Sequence, residues 1–510
     1  MTPAPRQLLP DLFVFQDTCN VYLLRQGSAA AAVDFGSGQW MKHLPGLGVK
    51  RLEHVFLTHS HPDQCEGLCA LRRRPFAVHA PATEAAFLDP DKVAQFWKSH
   101  RFGAWPPGRS VLRRGVAGVA YDVGEGRDFF WRPGAGAAER ICFVATPGHG
   151  QGAQSVIVNW RGKMVVFCGD AAHAGATMWR PSDAEWDHWT WRGPMAAWNS
   201  AQRLEQIGMD LLCPSHGPAV ADRPNAMLRR LRKKLLAFVE SKLSLCAGEK
   251  DEFWPLEPIG GQALRVLPHV VLCRHNTYLL LSGAGEALAV DPHTGEMDDL
   301  DAALELLGRP KLTAAIASHF HSDHTDGLPL VRQRYGTRVC LHPRVAWPVA
   351  NPRRWDLPFL PKTPICPDVA LPERGLWRWN EYEFQVAPWP GQTWWHAAYQ
   401  VAVDNTRVFF GGDSFQPASR WNGTGGYSAF NGVRFREGYA PSARLIRDWK
   451  PDILCNGHHC VFRYRPSRFR KIERWALKTE KAIQALCPSG SLEQDYYMHP
   501  LGGALAYPAR

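Results

Sequence analysis

Two short segments of the chain bring histidine and acidic residues close together. The first reads LTHSHPDQCEGL from 57 to 68, and the second reads ASHFHSDHTDGL from 317 to 328. In each segment the polar residues directly follow an apolar run, so one tight loop carries several side chains able to bind one ion. Imidazole and carboxylate together suit zinc, iron or manganese. Both loops are therefore predicted to bind metal.

Further ligands for such a site must come from elsewhere in the chain. In the first half, the candidates are His149 in ATPGHG, Asp170 in FCGD and His216 in CPSHG. An isolated histidine is more simply interpreted as a surface or core residue. An ordered set of candidates that occurs twice in one chain argues against that interpretation.

The chain repeats itself once. CNVYLL at 19–24 recurs as HNTYLL at 275–280, and the markers around Asp34, the first metal loop, Asp170 and His216 recur in the same order, 242 to 260 residues later. Five markers in one order indicate two homologous domains of about 250 residues. We predict domains at 1–248 and 262–510, joined by a linker at 249–261 that contains Pro and Gly.

The elements that must position these residues follow from local patterns. Short apolar runs such as VFLTHS, VVFCGD and LLCPSH end in polar residues, as buried strands do where they enter a loop at their carboxyl end. Helical patterns follow Ser200 and Ser442, and helices at 225–245 and 467–486 are predicted to close the two halves. The mixture predicts an α/β sandwich in each half.

Composition excludes several classes of protein. The chain has 510 residues, 45% of them hydrophobic, and 59 basic against 48 acidic residues give a net charge of +11. Disorder is therefore not expected. The absence of an apolar run of about 18 residues, and the Pro and Asp near the N-terminus, predict a protein that neither spans a membrane nor is secreted. Thirteen cysteines without a framework spacing favour free thiols and a cytoplasmic location.

The motif series resembles that of the metallo-β-lactamase superfamily, with HxHxDH, then a His after Pro-Gly, an Asp after a strand and a final His. The resemblance implies two tandem αβ/βα four-layer sandwiches of the metallo-β-lactamase fold, with one or two metal ions at the sheet edge. It implies that the first domain binds metal through His59, His61, Asp63, Gln64, His149, Asp170 and His216. The corresponding set in the second domain is His319, His321, Asp323, His324, Gln392, Asp413 and His458. Asp170 and Asp413 would bridge two ions.

Each half departs from the family pattern at one position. Gln64 stands where the pattern has the second-metal His, and Gln392 stands where the Pro-Gly-His would be. A glutamine oxygen ligates more weakly than imidazole, so looser sites, a harder metal and single occupancy all stay open. His396 is an alternative to Gln392, although a loop histidine beside tryptophans is the simpler interpretation. Cys65 and Cys69 are expected to pack behind the first loop.

The resemblance implies hydrolysis of an ester, lactone or similar small-molecule bond by a metal-bound hydroxide. Asp63 and Asp323 would be the catalytic acid–base residues. Zinc is the expected cofactor, up to two ions per domain, with iron or manganese as alternatives. The alternative functions are a mononuclear iron persulfide dioxygenase, a phosphodiesterase or nuclease, and a chain in which one half is a non-catalytic scaffold.

A small-molecule substrate is predicted, whereas nucleic acid and membrane are not expected partners, and the oligomeric state stays open. The basic clusters lie on or near the closing helices, interleaved with apolar residues, as on the solvated face of an amphipathic helix. These clusters are Arg229, Arg230, Arg232, Lys233 and Lys234 in the first half, and Arg463, Arg465, Arg468, Arg470 and Lys471 in the second. Aromatic segments at 178–198 and 420–435 resemble lids over a pocket.

Overall fold

The chain forms two compact units. The computed structural model describes residues 3–71, 73–99, 110–133, 138–179, 192–246, 250–355, 357, 359–417 and 436–488. The first unit comprises the described residues up to Val239 together with 482–488, and the second comprises those from Glu240 to Lys481. The predicted domain limits, which place a linker at 249–261, stay a prediction.

The first unit contains two β-sheets. The seven-stranded sheet has the order β1 to β7: Arg6–Leu9, Leu12–Gln16, Asn20–Gln26, Ala29–Val33, Arg51–Phe56, Ala77–Pro81 and Val119–Val123. The other sheet has the order β12-β11-β10-β9-β8, and β8 to β12 are Phe129–Trp131, Glu139–Ala145, Gln154–Trp160, Lys163–Gly169 and Leu211–Pro214. Helices α1 to α5 are Pro62–Cys69, Ala85–Leu88, Pro90–Ser99, Arg192–Glu205 and Pro224–Leu243.

Strand periodicity explains why the seven-stranded sheet is an inner layer. Along β2, Phe13 belongs to a core cluster that includes Trp40 and Leu68, outside the strands. The neighbouring residue Leu12 belongs to a different cluster, which includes residues of the other sheet such as Phe143. Successive side chains of a strand point to opposite faces, so both faces of this sheet are buried. One face packs against the other sheet, and the opposite face packs against helical segments.

The second unit repeats this arrangement. Its eight-stranded sheet runs β13 to β20: Glu257–Gly260, Ala263–Leu267, Val270–Leu272, Tyr278–Leu281, Glu286–Val290, Lys311–Ile316, Arg338–Leu341 and Val369–Ala370. Its six-stranded sheet runs β21 to β26: Gly375–Trp379, Tyr382–Pro388, Ala397–Val403, Thr406–Gly412, Ile453–Asn456 and Cys460–Arg463. Helices α6 to α11 are Met297–Leu306, Ser322–Thr325, Leu328–Tyr335, Pro343–Ala350, Tyr439–Trp449 and Pro466–Leu486.

The parallel strands bring their carboxyl ends to one edge of each sheet. β4, β5 and β6 are parallel neighbours, as are β11 and β12 in the other sheet. In the second unit, β17, β18 and β19 are parallel, as are β24 and β25. The predicted metal loops therefore leave β5 and β18, and the predicted bridging Asp residues follow β11 and β24 directly.

These elements confirm the α/β four-layer prediction for each half. The predicted closing helices correspond to α5 and α11, whereas α4 and α10 begin earlier than the predicted patterns after Ser200 and Ser442. Within the described part of the chain no helix is both long and apolar enough to cross a membrane. The twelve cysteines whose side chains the structure describes are free thiols.

Candidate metal centres

In the first unit, three histidines surround one point. His59 and His61 lie in the loop between β5 and α1, and His149 lies in the loop between β9 and β10. One nitrogen from each lies within 4.8 Å of the others. Nδ1 of His61 and Nε2 of His149 are 2.8 Å apart. Three imidazoles that converge from two loops form a candidate first metal position.

A second group lies beside the first. Asp63, Asp170 and His216 also bring ligand atoms within 4.8 Å of one another. Asp170 Oδ2 is 3.5 Å from His59 Nε2, 3.4 Å from His149 Nε2 and 3.8 Å from His216 Nε2. One carboxylate thus contacts histidines of both groups, as a bridge between two ions would.

The second unit also forms two adjacent ligand groups, but their residue composition differs from that in the first unit. His319, His321 and Asp413 form one group, whereas Asp323, His324, Asp413 and His458 form the other. Asp413 belongs to both.

Distances in the second unit support the shared role of Asp413. Its Oδ2 is 2.9 Å from His458 Nε2 and 4.0 Å from His319 Nε2, while its Oδ1 is 3.3 Å from His324 Nε2. The structure therefore brings together all the predicted His and Asp side chains of each half. That they bind metal stays a prediction.

The two predicted glutamine ligands lie against the shared carboxylates. The amide Nε2 of Gln64 donates to Asp170 Oδ2 at 3.2 Å, and Nε2 of Gln392 donates to Asp413 Oδ2 at 3.2 Å. His396 has its Nε2 3.0 Å from the carbonyl oxygen of Gly411, so this nitrogen points at the backbone.

Two buried aspartates orient the first histidine of each loop. Thr58 Oγ1 donates to Asp34 at 2.9 Å and lies 3.0 Å from Nδ1 of His59. A hydroxyl that donates to a carboxylate accepts from the imidazole N–H, which leaves the lone pair of His59 on Nε2. Ser318 Oγ connects Asp291 to His319 in the same way, at 2.7 and 3.0 Å.

Sequence reasoning used Asp34 and Asp291 only as repeat markers and gave them no role at the site. Their retention at the same place in both halves was the available signal. Both lie at the ends of strands with positive φ, 59° and 54°, an uncommon conformation that aims the carboxylate at the metal loop.

His173 and Gln416 were also missed. Nε2 of His173 lies 3.1 Å from Asp170 Oδ1, and Nε2 of Gln416 lies 3.4 Å from Asp413 Oδ1. Each follows its aspartate by three residues. The repeat register aligns them, but it drew no attention because the residue types differ.

The electrostatics of both sites favour a bound cation. Burial lowers the pKa of His59 to about 3, so its imidazole is neutral and able to ligate. In the second unit, burial lowers the pKa of His324, but the carboxylates of Asp413, Asp323 and Asp291 outweigh it and raise that pKa well above its ordinary value. Three carboxylates around one imidazole require a positive charge between them.

Several buried nitrogens fit a metal ion better than a hydrogen bond. Among the described residues, Nε2 of His59, of His319 and of His324 has no hydrogen-bond partner. The Nδ1 of each is held by Thr58, Ser318 or Asp291. A metal-binding histidine characteristically has one ring nitrogen held by the protein and the other directed at the ion. The donor sets therefore fit a divalent metal.

Exposure separates two kinds of aspartate. The side chains of Asp170 and Asp413 are only 1% and 2% exposed, whereas those of Asp63 and Asp323 are 35% and 33% exposed. The first pair is enclosed by the site, and about a third of the side-chain surface of the second pair is open to solvent.

The remaining sequence predictions concern the cysteine and the aromatic segments around the two sites. Cys65 is fully buried and its Sγ donates to the carbonyl of Ser60, consistent with packing behind the loop. Trp179, from the aromatic segment at 178–198, stacks on His216 at 4.1 Å. Residues 180–191 of that segment, and all of 420–435, lie outside the described residues.

The chain is similar to several known proteins. A hydroxyacylglutathione hydrolase of Albidiferax ferrireducens (strain ATCC BAA-621 / DSM 15236 / T118) is 33% identical over 129 residues, which are 25% of this chain and 43% of that relative. The chain thus spans less than half of that relative's length. A metallo-beta-lactamase family protein of Thermus thermophilus is 21% identical in sequence, with 48% of this chain and 85% of that chain covered at a TM-score of 0.36.

A Cronobacter sakazakii metallo-beta-lactamase with a HARLDQ motif is 18% identical, with 48% of this chain and 96% of that chain covered at a TM-score of 0.36. The sequence model of the Metallo-beta-lactamase superfamily matches residues 14–216 and, separately, residues 270–458. These two matches cover most of the chain and include both sets of candidate ligands. The chain therefore belongs to the metallo-beta-lactamase superfamily and carries the family's domain twice.

Proposed function

We propose that the chain is a metal-dependent hydrolase that cleaves an ester, thioester or lactone bond of a small molecule. One observation carries this proposal: in each unit a single buried carboxylate, Asp170 or Asp413, contacts histidines of two adjacent ligand groups. A carboxylate in that position would serve as a ligand to two ions, as in many metal-dependent hydrolases.

The His/Asp groups described above would hold the ions, up to two per unit, and zinc is the proposed metal because imidazole and carboxylate suit it. When bound, the metal would supply an acidified water and a Lewis acid for the developing oxyanion. Family membership and the donor sets both imply divalent metal binding.

The chain's own residues divide the remaining work. Asp170 and Asp413 are enclosed and fix the positions of the surrounding imidazoles. Asp63 has its Oδ2 2.8 Å from His216 Nε2, so its carboxylate is oriented while part of it faces open space. It can accept a proton from the attacking water and pass it to the leaving group, and Asp323 is placed to do the same in the second unit.

Two observations support a small molecule as the substrate. The similar protein from Albidiferax is named for a hydroxyacylglutathione, which is a small thioester. The basic clusters are partly neutralised, because Arg229 and Arg232 both pair with Glu205, and Arg468 pairs with Asp251. Basic side chains bound to acidic neighbours offer less attraction to a phosphate backbone.

Hydrolysis assays on zinc-loaded protein test the proposal. The substrates are a hydroxyacylglutathione, a small aryl ester, a γ-lactone and a phosphodiester, measured for wild type, Asp63→Asn and Asp323→Asn. We expect turnover of at least one carbonyl substrate, and a kcat reduced by about 10² to 10⁴-fold in the aspartate variant of the unit that performs it.

Asp210→Asn and Asp452→Asn serve as matched controls. These aspartates occupy equivalent positions in the two units, bond the backbone of Met164 and Arg407, and lie outside both ligand sets. Turnover of the phosphodiester alone, or oxygen consumption with a persulfide and no hydrolysis, would overturn the proposal. The first outcome would indicate a phosphodiesterase and the second an iron dioxygenase.

A further inference from the structure

Two positions at the candidate sites exchange residue types between the halves of the chain. The first half has Gln64 in the metal loop and His173 three residues after the shared aspartate. The second half has His324 in the loop and Gln416 three residues after its aspartate. Each half thus has one histidine and one glutamine at this pair of positions, in opposite order.

Both members of each pair contact the same carboxylate. In the first unit, Gln64 Nε2 is 3.2 Å from Asp170 Oδ2, and His173 Nε2 is 3.1 Å from Asp170 Oδ1. In the second, His324 Nε2 is 3.3 Å from Asp413 Oδ1, and Gln416 Nε2 is 3.4 Å from the same atom. In each unit the two positions therefore lie beside the same shared aspartate.

The orientation of His173 is fixed by the protein. Its Nδ1 lies 3.0 Å from the carbonyl oxygen of His216. A carbonyl oxygen only accepts, so Nδ1 carries the proton and Nε2 of the neutral ring presents a lone pair. The side chain is 6% exposed, which keeps the ring in this orientation.

That lone pair is directed at another acceptor. Nε2 of His173 and Oδ1 of Asp170 lie 3.1 Å apart, and neither atom makes a hydrogen bond within the described residues. Two buried acceptors at this distance need a cation between them, either a metal ion bound by both or a proton on the imidazole.

We propose that His173 is a metal ligand of the first unit. With Asp63, Asp170 and His216 it would supply the second metal position, for which Gln64 provides no imidazole. The inference rests on the proposed function only in that both require a bound divalent metal. It adds a ligand that the family pattern does not include and explains how the first unit tolerates glutamine in its loop.

Zinc binding to the full-length chain tests this assignment. Metal-free protein is titrated with Zn²⁺ against a chromophoric chelator, and the zinc content is measured after dialysis. The variants are His173→Gln, which copies the second unit, Gln64→His, and the double variant Gln64→His/His173→Gln, which moves the imidazole into the loop. His79→Gln is the matched control, because His79 is a buried histidine of the same unit that bonds Asp122.

We expect His173→Gln to weaken one zinc site at least about 100-fold, since even the loss of an outer-shell partner costs 10 to 100-fold. The double variant should bind that ion again to within about tenfold of wild type, and His79→Gln should bind as wild type does. His173→Asn, whose amide can also donate to the His216 carbonyl, replaces His173→Gln should the latter not fold, as judged by circular dichroism.

Wild-type zinc affinity and stoichiometry in a folded His173 variant would overturn the assignment and indicate a protonated His173. Failure of the double variant to recover the ion, with its fold intact, would overturn it as well. The readout is independent of turnover. Loss and recovery of zinc without any hydrolysis would leave this inference standing while the proposed function failed.

Discussion

At the residue scale, the histidines are controlled by their neighbours. His59 and His319 each direct Nε2 into the cluster because a hydroxyl, from Thr58 or Ser318, holds Nδ1. Burial lowers the pKa of both rings, so they stay neutral at physiological pH. The nitrogen that carries the lone pair is thus already fixed in both rings, so binding of an ion there would require little further ordering.

The buried carboxylate behind His59 makes the stability of the metal-free chain depend on pH. Burial raises the pKa of Asp34 from 3.8 to about 7. The folded state therefore binds a proton more tightly than the unfolded state, and the stability associated with this group falls as pH rises from about 4 to about 7. Asp34→Asn removes this dependence, because its amide does not titrate.

Denaturant unfolding of metal-free wild type and Asp34→Asn between pH 4 and 8 measures the effect. We expect the unfolding free energy of wild type to decrease relative to the variant as pH rises through this window, by at most about 4 kcal/mol. Parallel pH profiles for the two proteins would contradict the shifted pKa.

Residue type predicted most of the site but not all of it. His and Asp are the usual ligands, and their spacing after apolar runs was visible in the sequence. Asp34 and His173 act through contacts across the fold, with Thr58 and Asp170 respectively, and no local pattern marks such contacts. Comparison of the two halves held the missing signal, in the retained Asp and in the exchange of His for Gln.

At the element scale, glycines at the strand ends allow the shared aspartates to approach the metal loops. Gly169 ends β11 with φ 56° and Gly412 ends β24 with φ 54°, both in the left-handed region. A Cβ at Gly169 would lie 3.0 Å from Thr58, and one at Gly412 would lie 2.2 Å from Ser318 Oγ. A side chain at Gly412 would force Ser318 to shift, whereas one at Gly169 would press on Thr58 less severely.

Alanine substitutions at these glycines should have graded effects on stability and metal binding. Gly412→Ala is expected to destabilise the chain by more than the about 1 to 2 kcal/mol that a left-handed alanine costs, since it also displaces Ser318. Its zinc affinity in the second unit should fall, because Ser318 orients His319. Gly169→Ala should act in the same direction more mildly.

Gly162→Ala is the matched control, because Gly162 has φ 78° but nothing within 4 Å of the added Cβ. Denaturant midpoints measure the loss of stability, and zinc titrations measure the loss of zinc affinity. An equal loss of zinc affinity in Gly162→Ala would show that backbone strain alone, and not the contact with Ser318, is responsible.

The elements themselves were largely predictable. Apolar runs identified the strands that end at the site, and helical spacing identified α5 and α11 closely. α10 begins at Tyr439, before the predicted start after Ser442, because its buried first-turn residues give no polar boundary in the sequence. Strand order and pairing between distant segments follow from packing, which the local pattern does not encode.

At the scale of the whole molecule, the duplication has allowed the two sites to diverge. The first unit keeps a three-histidine group and has Gln64 in the other position, whereas the second keeps the Asp/His group intact and has Gln392 in place of the third histidine. Each copy therefore lacks an imidazole at a different candidate metal position. Neither half can therefore be singled out as a non-catalytic scaffold.

The two sites should bind metal independently. Each cluster is drawn from residues of one unit, so Asp170→Ala is expected to remove only the ions of the first unit and Asp413→Ala only those of the second. The ions that remain should keep their wild-type affinity to within about threefold, since the two ligand sets share no residue and mutations without shared partners act additively. The double variant should hold none.

Elemental analysis of dialysed protein, with zinc titration of each variant, measures this, and Asp210→Asn and Asp452→Asn are the controls. Saturating zinc at about 100 times its dissociation constant should stabilise the unit that binds it by about 2.7 kcal/mol for each bound ion, and each single variant should lose this stabilisation in one unit only. If Asp170→Ala strips metal from both units, the sites are coupled, and the two halves must be treated as one metal-dependent assembly.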